Sequence, residues 1–146
     1  MDAAVFARVA KAEDALLEEF QKFAEASDNL KASSDSEALT TSNSAVLAKG
    51  FRTPIGGIIR AKFDLKSRHA DLAAYGQIYR NGVALGTSRT TAAATYKTFS
   101  EDLAFAPYDL IQLYFWGSSG GGSAVQNFRL YYDKIASEVP VVTYTL

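Results

Sequence analysis

AAYGQIYRNGVALGT, residues 73–87, decides how the rest of the chain is read. Asn81-Gly82 at its centre is the strongest short-range signal for a two-residue hairpin, because a type I′ turn needs positive φ at both central positions. The turn sets the register: Arg80 faces Val83, Tyr79 faces Ala84, and Ile78 faces Leu85. Strand alternation then puts Ile78, Val83 and Leu85 with Gly76 on one face, expected to be buried, and Tyr75, Gln77 and Tyr79 on the other.

Alternation of the same period recurs on both sides of the hairpin. Ile59, Ala61, Phe63 and Leu65 alternate with Arg60, Lys62, Asp64 and Lys66, the pattern of a half-buried strand with a charged outer face. Ile111, Leu113 and Phe115 alternate with Gln112, Tyr114 and Trp116. Residues 125–132, VQNFRLYY, read as a returning strand with Phe128 and Leu130 inward. Shorter strands are expected at 96–99 and, beginning beside Pro140, at 139–146. SSGGG from Ser118 reads as a flexible loop.

About seven short strands between turn signals predict a mainly β chain, an antiparallel β-sandwich or jelly roll. The amino-terminal region reads differently. Residues 2–26 lack Gly and Pro and are rich in Ala, Glu, Lys, Leu and Phe, which predicts an N-terminal α-helix. Val9, Leu16, Phe23 and Leu30 recur at intervals of seven, with Phe6 and Phe20 three residues ahead of Val9 and Phe23. Glu13 and Ser27 interrupt that second row. SSDSEALTTSNS from Ser33 has little to bury and reads as a linker. The expected organisation is a helical assembly segment over 1–32, a linker over 33–48, and a β-sandwich over 49–146.

Composition bounds the function. The 146 residues carry 15 Lys and Arg against 16 Asp and Glu, a net charge of −1, so no global field draws nucleic acid or anionic lipid. There is no cysteine, which excludes disulfides and thiolate catalysis. No run of about 18 apolar residues is present, and the acidic start does not read as a signal peptide. His69, between Arg68 and Asp71 in a polar turn, has no second histidine to form a metal site. Glu101-Asp102 are adjacent, so a strand would point them to opposite sides. Asp64, Asp71, Asp102, Asp109 and Asp133 form no calcium-loop motif. No catalytic residue, metal ligand or cofactor site is expected. The chemistry-bearing set is aromatic: Tyr75, Tyr79, Tyr114 and Trp116, with Tyr131 and Tyr132, can pack under loops, anchor a protein interface or stack on sugar rings.

The stretches GGIIRAKFDLKS (56–67), AYGQIYRNGVALGTSRTT (74–91), TFSEDLAFAPYDLIQLYF (98–115) and VQNFRLYYD (125–133) resemble β-sandwich modules of structural proteins of tailed phages and related viruses. The same pattern is similar to jelly-roll carbohydrate-binding modules. The resemblance implies no enzyme and no cofactor. On the first likeness the chain is expected to be a capsid decoration (cement) protein, made in the host cytoplasm and located on the virion. It would bind the major capsid protein or other virion proteins and form a homo-oligomer such as a trimer, with no nucleic acid or membrane partner. Val9, Leu16, Phe20 and Phe23 would serve assembly, and Val141, Val142 and Tyr144 would pair with a neighbour's sheet edge. The alternative is a carbohydrate-binding module or tail-fibre tip, with Tyr75, Tyr79, Tyr114 and Trp116 facing a host glycan.

Overall fold

The computed structural model of the chain describes residues 22–136. Among the described residues, ten strands form two five-stranded sheets packed face to face. The first sheet contains β1 (Lys22–Ser34), β2 (Ala38–Thr40), β4 (Gly57–Ser67), β8 (Lys97–Phe105) and β10 (Ser123–Ala136), in the order β2-β10-β1-β4-β8 with β10 also paired to β4. The second contains β3 (Val46–Arg52), β5 (Ala74–Arg80), β6 (Val83–Ala84), β7 (Arg89–Thr91) and β9 (Leu110–Gly117). Its order is β3-β9-β5-β6, with β7 on the free part of β5. Neighbours are antiparallel except β1 and β4, which touch in parallel at Ala24 and Gly57.

The alternation read from the sequence supplies the core. Ile59, Ala61, Phe63 and Leu65 from β4, with Val125, Phe128 and Leu130 from β10, meet Ile78, Ile111, Leu113 and Phe115 of the opposite sheet, all buried. Gly76 sits where Phe63 comes across: a methyl group there would lie 2.7 Å from the Phe63 ring. The missing side chain therefore makes room for an aromatic one, keeping the interior close-packed.

The hairpin forms in the expected register, Tyr79 opposite Ala84 and Arg80 opposite Val83. Asn81 and Gly82 have φ of 50° and 80°. The turn is also tied to β9, since Asn81 accepts from the Leu110 amide (2.8 Å) and donates to Asp109 (2.8 Å). That donation, with the Ala106 amide and the Arg80 charge, holds the Asp109 carboxyl below its ordinary range. Val83 differs from expectation: it is 69% exposed. Its partner Arg80 is exposed as well, because the hairpin tip runs past the core-facing rungs. A Cβ at Gly82 would meet nothing within 4 Å, so Gly82→Ala isolates backbone strain. We expect a loss of about 1 kcal/mol, read from denaturant midpoints at unchanged slope.

The amino-terminal expectation is corrected where it can be compared. Residues 22–34 are the long strand β1, not helix, running antiparallel to β10 from Lys22 opposite Ala136 to Ser34 opposite Phe128. Phe23 and Leu30 therefore stand on a strand, and their seven-residue spacing marks no helical stripe. Pairing with β10 overrides a local helix preference worth only tenths of a kcal/mol per residue. Residues 33–48, read as linker, contain β2 and the start of β3. Lys49 anchors the β1–β2 connection from beneath, donating to the Ser34 carbonyl (2.8 Å) and to Ser36; burial pushes its ammonium below the ordinary lysine range. The loop from Ser118 is a built turn, with Gly120 N–H on Asn43 Oδ1 (3.0 Å) and Gly121 N–H on the Ser118 carbonyl (2.9 Å).

The strand expected at 96–99 extends to Phe105, and Glu101-Asp102 lie within it. As adjacent strand residues they point to opposite faces. Asp102 pairs with Arg60 on the outer surface (2.8 Å). Glu101 turns inward to the open side of the sandwich, accepting from the Thr87 amide (3.0 Å) and hydroxyl (3.0 Å) and lying 3.7 Å from Arg89. It ties the edge of the first sheet to the connection between β6 and β7.

Candidate functional site: an aromatic face on the second sheet

The outer face of the second sheet is built by β5 and β9. Their register sets Tyr75 opposite Trp116, Gln77 opposite Tyr114, and Tyr79 opposite Gln112. Inward partners on these strands are core residues, so alternation leaves the aromatic ones pointing out. All four aromatic residues named from the sequence come together here. Tyr75 and Trp116 stack with centroids 5.3 Å apart and planes 6° from parallel. Tyr79 leans one rung diagonally to stack on Tyr114, at 4.0 Å and 20°. Each ring is half-buried, and each is held by its partner, so little rotamer freedom remains to be lost on binding.

Two side-chain amides lie beside the rings. Gln77 donates from Nε2 to the Gly86 carbonyl (2.8 Å), and Gln112 accepts from the Gly82 amide (2.7 Å). These bonds fix both amides beside the rings. Leu47, opposite Tyr114 on β3, is 53% exposed and extends the apolar strip. Gly50, opposite Gln112, keeps that margin low. The sequence reading missed Leu47 and Gly50 because it placed β3 partly in a linker; the alternation in VLAKGFR was the available signal. On its other edge the face continues to Thr90, opposite Tyr75.

This arrangement suits adhesion: a platform of paired rings with amide groups beside it. Among the described residues no group of three His, Cys, Asp or Glu side chains could hold a metal ion. His69 is exposed, its Nδ1 3.1 Å from the Ala70 carbonyl. The other aromatic candidates part company: Tyr132 is buried in the core, whereas Tyr131 stands on the outer face of the first sheet. Of the residues expected to serve assembly, Phe23 is a 40% exposed position on β1. Val9, Leu16, Phe20, Val141, Val142 and Tyr144 lie outside the described residues.

No protein-family model matches the chain, and no curated protein matches it in sequence. Solved structures do resemble it. The EclA C-terminal domain, described as a sugar-binding protein, superposes with a TM-score of 0.51 at 9% identity, over 69% of this chain and 81% of that one. The insecticidal delta-endotoxin Cry8Ea1 from Bacillus thuringiensis gives 0.46 at 15% identity, over 68% of this chain and 19% of that one. The C-terminal carbohydrate-binding module (CBM6) of LamC from Zobellia galactanivorans gives 0.41 at 12% identity, over 75% and 98%. The likeness to EclA shows the fold, a β-sandwich, in agreement with the sequence expectation.

Proposed function

We propose that the chain is a carbohydrate-binding β-sandwich module whose ligand lies on the aromatic face of the second sheet. The observation that carries this reading is the pair of adjacent ring stacks, Tyr75 with Trp116 and Tyr79 with Tyr114, fixed in place and flanked by oriented amides. Sugar rings present apolar C–H faces and peripheral hydroxyls. Such a ligand matches a surface on which aromatic area and amide groups alternate. The fold likeness to EclA, a sugar-binding protein, favours this reading over capsid decoration.

Glycan-array screening followed by affinity electrophoresis tests it. A retained neutral polysaccharide should lose at least about tenfold in affinity in Trp116→Ala, about 1.4 kcal/mol or more. Trp116→Phe should keep most of the binding, because a ring remains to stack on Tyr75. Retention unchanged in a folded Trp116→Ala, or no glycan retained by the native chain, would overturn the proposal.

A further inference from the structure

The outer face of the first sheet carries a hollow of about 260 Å³ lined by Lys62, Asp64, Thr98, Asn127, Arg129 and Tyr131. Three strands contribute, and their register brings the residues together: Thr98 and Gln126 flank Asp64, and Arg129 lies beside Lys62. The hollow exists because β10 bulges. Between Gln126 and Arg129 the pairing with β4 slips, and Asn127 enters the left-handed region at φ 51°. Bulges re-aim side chains, and asparagine is among the few residues besides glycine that adopt a positive φ readily. Here the Asn127 amide is delivered to Asp64, donating from Nδ2 at 2.9 Å.

The donor and acceptor set is specific. Asp64 also accepts from Thr98 Oγ1 at 2.7 Å and from Gln126 Nε2 at 3.4 Å. A carboxylate has about four acceptor sites, so one remains for a ligand donor. Arg129 uses Nε and Nη2 on Asp35 (2.8 and 3.1 Å) and also meets the Tyr131 hydroxyl; of the five N–H donors of a guanidinium, two remain for a ligand. Asp35 both orients this guanidinium and neutralises its charge. Lys62 differs: its ammonium lies 4.8 Å from the Tyr131 ring centroid and makes no ion pair among the described residues. The cluster therefore offers an oriented acceptor for hydroxyl groups, amide and hydroxyl groups around it, and two cationic donors of which one is unneutralised. Its volume is below the roughly 300–1,000 Å³ of sites for drug-sized ligands, and suits one ring.

We propose that this hollow is a second saccharide site, on the opposite side of the sandwich from the aromatic face, and that it selects a sugar bearing a carboxylate. Lys62 and the remaining donors of Arg129 meet the carboxylate, Asp64 accepts from a ring hydroxyl, and the Tyr131 ring forms the wall. The site is separate from the aromatic face and stands or falls independently of it.

Titration of the full chain with glucuronic acid, glucose and sodium acetate, followed by amide chemical shifts, tests the assignment. Glucuronic acid should shift resonances of β4, β8 and β10, with glucose and acetate each at least about tenfold weaker. Lys62→Ala should weaken glucuronic acid at least about fivefold, and Asp64→Asn should do the same, while Trp116→Ala leaves it unchanged. Lys62→Gln is the companion variant if Lys62→Ala loses its fold. Acetate binding as tightly as glucuronic acid would reduce the hollow to a simple anion site, and glucose binding equally would remove the carboxylate. Loss of glucuronic acid in Trp116→Ala with none in Lys62→Ala would move it to the other face. No shift at all would also overturn the proposal.

Discussion

Phe128→Ala should lower the unfolding free energy by about 3–5 kcal/mol, the range found when a buried aromatic side chain is truncated and the cavity only partly closes. Phe128 is wholly buried, and it belongs to both layers at once. It is carried by β10 of the first sheet, while its ring packs against Phe51 of the second, with centroids 5.1 Å apart at 39°. Removing it deletes apolar contact area and an inter-sheet ring pair together. It also follows the bulge at Asn127, where the surrounding backbone is already constrained and cannot relax freely into the space. A denaturant titration should show the midpoint fall while the slope stays constant. A loss under about 1.5 kcal/mol would mean that the two sheets do not meet there as described.

Gly57→Ala should cost a comparable amount, about 3 kcal/mol or more, for a different reason. Gly57 has φ of 132°, a conformation that side-chain-bearing residues rarely adopt, and a Cβ there would lie 2.2 Å from the Ala24 carbonyl oxygen and 2.7 Å from its nitrogen. These are backbone atoms, so no side chain can rotate away. Strained backbone and overpacking each account for about 1–3 kcal/mol. Relief would have to come from separating β1 from β4 at Ala24, whose amide donates to the Gly56 carbonyl at 2.8 Å. Hydrogen exchange should therefore show the start of β1 opening before the rest of the first sheet in this variant. Uniform loss of protection would argue against that local mechanism.

The parts of this molecule that were readable in the sequence are those whose cause is local. Asn81-Gly82 specifies a turn whatever surrounds it, and the turn sets which residues face one another. The alternating runs in β5 and β9 carry their own two-sidedness, so the aromatic residues were legible as a set from the strands alone. β1 could not be read this way. KFAEASDNLKASS alternates poorly, and among its residues only Ala24 is buried; it is a strand because β10 offers a ladder along nearly its whole length. β2 is three residues whose definition rests on the same partner. The hollow on the first sheet was invisible for a related reason. Asp64, Thr98 and Asn127 are distant in sequence, and they meet only through the register of three strands and one bulge, a signal no single segment contains.

The placement of Lys22 opposite Ala136 has a mechanical consequence. Tension applied across these two residues would act at one end of the β1–β10 ladder and along its hydrogen bonds, which run perpendicular to the strands. The rungs would then give way in succession, like a zip, instead of sharing the load in shear. Peeling would proceed toward the rung where Ser34 meets Phe128 before reaching the deepest contact between the layers. Stretched from that end, the sandwich should yield at low force and by stages, however resistant it is to heat.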